Sequence, residues 1–380
     1  MDSDTGSRQP RRPTIRDVAR RAGVSPTTVS NALNGRTGRL SAATAERLQR
    51  ACDELGFVPD ELGRQLRRGH AKMIGVIVPS VANPFWGEFV RAAEEAARPS
   101  DFTVLSVSSD RIQERERGYT ESMHRLGIRA VLFGTSPISL NYLSSWSGQG
   151  LHIVVFDRRF RRGDLQGIDC VTTDNRKGGY LATKALLDLG HRRIGFLSGP
   201  IKTASRRDRF AGYRRALTEA GIGFEPDRVW AGSGESAFGD PEGGDLGRAG
   251  ALDLLSKDPS LTAMVAINDM YAIGAYAGIR STGRSVPGDV SVTGFDDIVL
   301  SRLLDPALST VRQPIWEMAG AAVKRLIARV EGAARPEPLR EQWSPEFIRR
   351  GSVAPPPGPA GAGAGAGQSA HHSEGANRDE

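Results

Sequence analysis

The chain has 380 residues, with 51 Lys and Arg against 44 Asp and Glu and a formal net charge of +7. This length corresponds to two or three domains, and the sequence contains no run of about 18 apolar residues that would predict a membrane span. Two cysteines, Cys52 and Cys170, are too few for a disulfide framework or a zinc site. The N-terminal residues include no apolar signal-peptide core, so we expect a cytoplasmic protein.

The positive charge is concentrated at the N-terminal end of the sequence. Residues 1–72 carry 14 basic and 8 acidic side chains, whereas residues 73–380 carry 37 and 36. A basic segment attached to a nearly neutral body is the charge distribution expected of a nucleic-acid-binding protein. Residues 1–12 are polar and contain Pro, Gly and Arg, and we expect them to be disordered.

Residues 13–58 are predicted to form three short helices. Each helix follows a hydroxyl side chain that can cap its N-terminus and precedes a glycine that can end it. The capping residues are Thr14, Ser25 and Ser41, and the glycines are Gly23, Gly35 and Gly56. Asp17 lies three residues after Thr14, as in a capping box, and Pro26 suits the first position of the second helix. Two nearly adjoining short helices followed by a third predict a helix-turn-helix head.

Residues 59–72 are predicted to form a linker to the rest of the chain. Leu62 and Leu66 lie four residues apart, on one face of this segment if it is helical. Gly63 lowers the helix propensity of the linker by roughly 1 kcal/mol. We therefore expect the linker to be poorly ordered when DNA is not bound.

Residues 73–352 alternate between short apolar runs and amphipathic segments. The runs include MIGVIV, FTVLSV, AVLFG, HIVVFD, RIGFLSG, AMVAI and VSVTGFD, and the predicted helices span 85–97, 112–126, 176–189, 205–220, 245–256, 269–281 and 315–331. Continuous β-branched runs separated by helices predict parallel strands that are buried on both faces of a doubly wound α/β sheet. About 280 residues is too long for one such sheet, so we expect two lobes with a cleft between them. Residues 353–380 are rich in Gly, Ala and Pro and are predicted to form a disordered tail.

Several motifs, in order along the chain, resemble the LacI family of bacterial transcription repressors. TIRDVARRAGVSPTTVSNALNG is similar to the family's DNA-binding head, and MIGVIVPSVANPFW is similar to the start of its core. Further similar segments include DNRKGGYLATKALLDLGHRRIGFLSGP, AINDMYAIGA, VSVTGFDDI and PEFIRRGS. The resemblance extends from about Thr14 to Ser352. It implies a helix-turn-helix head, a hinge helix and a dimeric core like that of periplasmic sugar-binding proteins.

The second predicted helix carries the candidate DNA-contacting residues. A recognition helix presents the exposed side chains near its N-terminus to base edges in the major groove. The outward-facing candidates are Pro26, Thr27 and Asn31, and the resemblance implies that they contact bases. The family often has Arg at position 31, whereas Asn suits adenine through paired hydrogen bonds to N6 and N7. The alternative is that Thr27 and Asn31 simply form a solvated helix face.

Further residues are candidates for contacts with the DNA backbone or the minor groove. Hydroxyl groups and helix N-termini can bind phosphates; the candidates of this kind are Thr14, Ser25, Thr28 and Ser30. The resemblance implies that Leu66 inserts into a central minor-groove step and kinks the duplex, and that Arg64, Arg67 and Arg68 contact phosphates. The alternative for Leu66 is an ordinary linker helix that packs on its own core.

A small-molecule site is predicted where the parallel strands end, because ligands of such sheets bind outside the carboxyl ends of the strands. The candidate effector-binding residues are Ser80, Asn83, Phe85, Trp86, Asp157, Arg158, Arg209, Asn268 and Asp296. The resemblance places Asp157, Arg209, Asn268 and Asp296 at the effector-contacting positions of sugar-responsive members. Carboxylates and a guanidinium suit vicinal hydroxyls, because each presents two oriented hydrogen-bonding groups.

Alternatives remain for three of these residues. Asp157 and Asp296 can instead cap strand ends or form an inter-lobe salt bridge, and Trp86 can instead pack in the core. The Gly-rich loop at 233–247 contains Phe238 as its one aromatic residue, and members of the family often have an aromatic effector contact in this loop.

Two other classes of protein are disfavoured by the sequence. No phosphate-binding or HExxH motif is present, the six histidines show no metal-ligand spacing, and adjacent residues such as Asp296 and Asp297 point apart on a strand. We therefore expect no enzyme, metal or cofactor. A transport-type sugar-binding protein would need a signal peptide and no helix-turn-helix. The predicted function is a repressor of a carbohydrate operon, with a palindromic double-stranded operator, a homodimeric assembly, a sugar-like effector and no membrane partner. A corepressor-dependent regulator that responds to a nucleobase-like metabolite is the alternative.

Overall fold

The computed structural model describes residues 13–33, 40–57, 71–161, 164, 167–232, 243–333 and 337–358. The head consists of three helices, α1 (Ile15–Ala22), α2 (Pro26–Leu33) and α3 (Ala42–Leu55). They share a small apolar core formed by Val18, Ala19, Ala22, Val29, Leu48 and Ala51. The arrangement confirms the predicted helix-turn-helix.

The capping signals act at the ends of the helices as predicted. Thr14 Oγ1 accepts from Asp17 N at 3.4 Å, and the Thr14 N–H donates to Asp17 Oδ2 at 2.9 Å, which together form a capping box at α1. Gly23 ends α1 with a φ of 67°, a left-handed conformation that glycine adopts without strain. Ser41 caps α3, where its side chain accepts from Thr44 N.

The rest of the chain forms two α/β lobes. Its elements are β1 (Ala71–Val78), α4 (Pro84–Ala97), β2 (Thr103–Ser108), α5 (Gln113–Arg125), β3 (Ile128–Phe133), α6 (Ser144–Ser147), β4 (His152–Phe156), β5 (Asp169–Thr173), α7 (Asn175–Asp188), β6 (Ile194–Leu197), α8 (Ala204–Glu219), β7 (Val229–Trp230), α9 (Gly243–Lys257), β8 (Ala263–Ala266), α10 (Asp269–Ser281), β9 (Ser291–Asp296), α11 (Val299–Leu303), β10 (Ser309–Arg312), α12 (Ile315–Val330), β11 (Arg340–Trp343) and β12 (Glu346–Ile348). Short 3₁₀ turns lie at Arg98–Ser100, Asn141–Leu143 and Pro226–Arg228.

Each lobe contains one six-stranded sheet. The first lobe has the strand order β11-β5-β4-β3-β1-β2, with every pair parallel. The second lobe has the order β12-β10-β9-β8-β6-β7, in which only the β10–β12 pair is antiparallel. The chain passes between the lobes three times, after β5, after β10 and after β11. The two-lobed, mostly parallel α/β architecture confirms the predicted fold class.

Close packing of α7 against α8 fixes the position of the start of α8. This part of α8 contains Arg209, which lines the cleft between the lobes. A Cβ atom on Gly179 would lie 2.1 Å from the backbone oxygen of Arg209, and one on Gly212 would lie 2.1 Å from the backbone oxygen of Arg176. Only glycine permits the two backbones to approach this closely. The contact therefore sets the position of Arg209 relative to the crossing that follows β5.

Two predicted boundaries differ from the structure. The predicted linker extends to residue 72, but β1 begins at Ala71, whose N–H donates to Gly127 O at 2.9 Å. The predicted tail begins at residue 353, but Val353 is buried in the core of the second lobe and the Ala354 oxygen accepts from His191 Nε2 at 2.8 Å. The predictions for 1–12, for 59–70 and for 359–380 lie outside the described residues. Within the described ranges, no helix is long and apolar enough to cross a membrane.

Candidate DNA-binding helix and effector cleft

Helix α2 presents its polar face to solvent. Val29 is fully buried in the core of the head, whereas Pro26, Thr27 and Asn31 are exposed. These are the three side chains predicted to contact bases, so the structure leaves them accessible to a partner.

The predicted phosphate-contacting hydroxyls are also engaged within the head. Ser25 Oγ accepts from Thr28 N at 3.0 Å, and its oxygen lies 2.8 Å from Thr28 Oγ1. Thr28 and Ser30 are half-buried. Both donors of Thr14 are bonded to Asp17, so a bond from its hydroxyl to a phosphate would have to replace that contact. The hinge candidates Arg64, Leu66 and Arg67 lie outside the described residues.

Arg209, near the start of α8, is the centre of the cleft between the lobes. Its Nε donates to Asn175 Oδ1 at 2.7 Å, and its Nη1 donates to Ile267 O at 2.8 Å. Its guanidinium lies 3.8 Å from a carboxylate oxygen of Asp157 in the first lobe and 3.8 Å from one of Asp296 in the second. Arg209 therefore links the two lobes, as the salt-bridge alternative for the two aspartates predicted.

Seven of the nine predicted effector residues line one cavity in this cleft; they are Asn83, Phe85, Trp86, Asp157, Arg209, Asn268 and Asp296. Ser80 and Arg158 do not line it. Ser80 Oγ instead accepts from Ala82 N at 3.2 Å within its own turn. Arg158 is fully buried and forms two hydrogen bonds with Asp164, at 2.8 and 2.6 Å. Their predicted contacts with an effector therefore find no support in the cavity lining and stay predictions.

Trp86 packs in the core and also faces the cavity. It belongs to the apolar core of the first lobe, where it forms edge-on contacts with Phe85, Phe89 and Phe156, and it also lines the cavity. Packing on three aromatic rings holds the indole in place. The core thus supplies a rigid aromatic wall to the cleft.

Five residues in or beside the cavity between the lobes were not predicted from the sequence. Arg111, Ser205, Arg206 and Ile267 also line the cavity, and buried Gln313 donates from Nε2 to Asp296 Oδ1 at 2.8 Å. Arg111 and Gln313 follow β2 and β10, so the rule that ligands bind at strand ends would have found them. Gln313 was missed because the four-residue strand before it was not predicted.

Burial perturbs the acidity of one carboxyl group of the cleft, that of Asp296. Burial raises the pKa of Asp296 well above its usual value, and the nearby carboxylates of Asp269 and Asp157 raise it further, while the Arg209 guanidinium opposes the shift. Asp157 and Asp296 have φ values of 59° and 119°, which are left-handed and strained for residues with a side chain. Strained residues with perturbed acidity are typical of functional sites.

The lobes are held together around this cavity by direct inter-lobe hydrogen bonds. The Ser205 N–H donates to Ser136 Oγ at 3.1 Å, and Arg159 forms two bonds with Asp208, the shorter at 3.0 Å. The cavity holds only about 20 Å³ of free space, roughly enough for one water molecule. A ligand that enters must therefore separate the lobes or displace the Arg209 contacts.

A helix-turn-helix head joined to two α/β lobes that enclose a polar cleft defines the class of ligand-responsive DNA-binding regulators. The family model described as bacterial regulatory proteins, lacI family, matches residues 14–60, and the one described as periplasmic binding protein-like domain matches residues 183–353.

Individual relatives cover nearly the whole chain. The HTH-type transcriptional regulator GalR of Escherichia coli strain K12 is 33% identical over 345 residues, which cover 90% of this chain and 96% of the relative. The ribose operon repressor of Haemophilus influenzae is 33% identical over 320 residues, which cover 84% of this chain and 92% of the relative. The solved complex of the transcriptional regulator CelR with cellobiose has a TM-score of 0.64 and 29% identity, and the match covers 90% of this chain and 100% of that one.

The chain belongs to the LacI family of bacterial transcription regulators. It is accordingly a DNA-binding regulator of transcription and not an enzyme. Members of the family bind operator DNA as dimers and respond to small effectors.

Proposed function

We propose that this protein is a cytoplasmic homodimer that binds a palindromic operator, represses a carbohydrate uptake or catabolism operon, and releases the operator when a small carbohydrate binds between its lobes. The observation that supports a carbohydrate effector is the position of Arg209 between Asp157 and Asp296. Two carboxylates and a guanidinium fork around one space match the paired donors and acceptors of vicinal hydroxyls. Trp86 supplies a rigid apolar wall for the face of a sugar ring.

The DNA-contacting roles are part of the proposal. Asn31 forms paired hydrogen bonds with an adenine, Thr27 and Pro26 contact neighbouring base edges, and Thr28 and Ser30 contact phosphates. Leu66 of both subunits meets at one central step of the operator, with Arg64 and Arg67 on the phosphates. This arrangement requires two half-sites related by the two-fold axis of the dimer.

Release follows from the closed state of the cleft. Arg209 joins Asp157 of the first lobe to Asp296 of the second. A sugar whose hydroxyls take over these contacts pushes the lobes to a different spacing, and the two heads move with them. A coupling of about 1–3 kcal/mol, typical of allosteric pairs, is enough to lower operator occupancy substantially.

The test is footprinting of the purified protein on the DNA that flanks its gene, with and without single sugars. We expect a protected two-fold-symmetric site whose protection is lost when one sugar is added, and a steep loss of binding at higher salt because phosphate contacts release counterions. A single asymmetric half-site bound at full affinity would contradict the dimeric operator. Protection that needs an added metabolite would identify a corepressor-dependent regulator instead.

A further inference from the structure

A second cavity, here called the side pocket, opens next to the cleft. It has a volume of about 450 Å³, and its lining includes Arg111, Gln113, Glu116, Asn141, Tyr142 and Lys202. The volume lies within the range of roughly 300–1,000 Å³ that is usual for small-molecule sites. The cleft itself has only about 20 Å³ of free space on the same measure. Far more room for a ligand therefore lies beside the cleft than within it.

The side pocket is built by both lobes. Its floor comes from the loop that follows β3 and from the first turns of α5, and Lys202 contributes from the segment that precedes α8 in the second lobe. Arg111 lines both the side pocket and the cleft. The two cavities are thus neighbours that share one guanidinium.

The floor of the side pocket is a buried polar cluster. Glu116 is 3% exposed, and its carboxylate accepts from Tyr142 Oη and from Ser109 Oγ, the latter at 3.5 Å. Arg111 Nη1 donates to Thr135 O, which fixes the guanidinium at the boundary with the cleft. Burial raises the pKa of the Glu116 carboxyl above its usual value. A carboxyl group held by two hydroxyls inside an open pocket leaves lone pairs that a ligand hydroxyl can use.

The chemistry of the lining fits a polyhydroxylated ring better than an apolar group. The exposed amides of Gln113 and Asn141 line the pocket together with the Tyr142 ring and the apolar side chains of Pro137 and Ile138. The many polar groups disfavour an apolar ligand because they would lose hydrogen bonds on desolvation.

We propose that the effector is a carbohydrate of two linked units, with one unit in the cleft and the second in the side pocket. Arg111 contacts both units, and the link between them passes beside it. This inference rests on the proposed function, because it assumes that the cleft binds a sugar. It adds that the side pocket selects a disaccharide over either of its monosaccharides.

The test is calorimetry of the full-length protein with cellobiose, maltose, lactose, melibiose, trehalose and sucrose, and with glucose, galactose and fructose as their constituents. We expect at least one disaccharide to bind tenfold or more tightly than each of its own constituents. A monosaccharide that binds as tightly as every disaccharide containing it would overturn the side pocket's role and leave the proposed function intact. The absence of binding by any of the nine sugars would contradict both.

A variant that blocks the side pocket tests whether this pocket is responsible for the preference for a disaccharide. Asn141→Trp places a large ring at the exposed rim without touching the cleft, and Ser145→Trp, at an exposed position outside the lining, is the matched control. We expect Asn141→Trp to reduce the affinity for the preferred disaccharide at least tenfold, while the affinity for its constituent monosaccharide changes less than twofold. Ser145→Trp should change neither affinity. Unchanged disaccharide affinity in Asn141→Trp, with normal thermal unfolding, would overturn the proposal.

Discussion

Arg209 is the residue on which the response to the effector depends. It is only 7% exposed and connects groups from both lobes. We expect Arg209→Ala to bind the operator within about twofold of the wild type but to lose its release by sugar, because the ligand loses its guanidinium partner. Electrophoretic mobility of operator DNA over a sugar titration measures both properties.

The control for this change is Arg207→Ala, which removes an exposed arginine of the same helix. It should keep both operator binding and release. The fold of Arg209→Ala should survive, because the raised pKa of Asp296 allows that carboxyl to become neutral when the guanidinium is absent. Release by sugar that persists in a folded Arg209→Ala protein would show that the ligand binds elsewhere.

Asn31 is the residue expected to specify one base pair. Asn31→Ala should weaken binding to the operator by roughly 1–3 kcal/mol and relax the preference at a single position, because one bidentate contact is lost. Binding should be measured against operators with each base pair substituted in turn. Gln49→Ala, which truncates an exposed amide on α3, is the matched control and should leave the base preferences unchanged. Equal weakening on all sequences would make Asn31 a phosphate-contacting or structural residue.

The predicted effector residues match the lining of the cavity where position along a strand decides, and depart from it where side-chain direction matters. The strand-end rule found Asp157 and Asp296 because the carboxyl ends of parallel strands meet at one edge. The same rule selected Ser80 and Arg158, whose positions are correct but whose side chains turn toward other partners. Arg158 turns inward because Asp164 offers two carboxylate oxygens to its guanidinium. Asp164 lies in a loop, and its position depends on contacts that no local pattern reveals.

Asp269, the first residue of α10, joins three elements of the second lobe. Its Oδ2 accepts from Ile298 N at 3.0 Å and from Ser301 Oγ at 2.6 Å, at the start of α11, and its Oδ1 accepts from Thr310 Oγ1 in β10. Burial raises the pKa of Asp269 to about 6 from an ordinary value of 3.8. The folded state therefore binds this proton more tightly than the unfolded state does.

This difference sets a pH dependence of stability. As the pH rises from about 4 to about 6, Asp269 ionises at a cost to the folded state, so its contribution to the free energy of unfolding falls by on the order of 3 kcal/mol. Asp269→Asn has no carboxyl group to titrate at this position. We therefore expect the variant to lack this decrease in the free energy of unfolding between pH 4 and pH 6. We also expect it to be less stable than the wild type at every pH. Urea unfolding between pH 4 and pH 7 measures the effect, with exposed Asp227→Asn as the control. The wild-type pH slope retained in Asp269→Asn would refute this assignment.

At the scale of elements, strands made of continuous apolar runs were predictable, and short or polar strands were not. β1, β3, β4, β6, β8 and β9 are continuous apolar runs, because helices cover both faces of each sheet. β7 has two residues, and β11 and β12 are short and largely exposed. β11 pairs with β5, about 170 residues earlier in the chain. Its strand conformation therefore comes from a distant partner and not from its own sequence.

At the scale of the whole molecule, the proposed dimer needs an interface, and one exposed apolar patch is the candidate for it. Val299, Leu300 and Leu303, all on α11, are 59%, 38% and 74% exposed. Three neighbouring apolar side chains in solvent indicate a contact surface. We expect Leu303→Lys to give monomers in sedimentation and to weaken operator binding at least tenfold, because a monomer contacts one half-site. The control is Leu126→Lys, which makes the same substitution at another leucine that is 50% exposed; it should leave the dimer intact. If Leu303→Lys still forms dimers at micromolar concentration, the interface lies elsewhere.

In the proposed mechanism, carbohydrate binding and operator binding oppose each other through the lobes. Thermodynamic reciprocity requires that an effector that lowers operator affinity binds more weakly when the operator is present, by the same factor. The most direct measurement is calorimetric titration of the releasing sugar into the full-length protein, alone and saturated with operator DNA. We expect the sugar to bind about 5–150-fold more weakly in the presence of the operator, a coupling of about 1–3 kcal/mol. Tighter binding of the sugar in the presence of the operator would contradict release and make the ligand a corepressor.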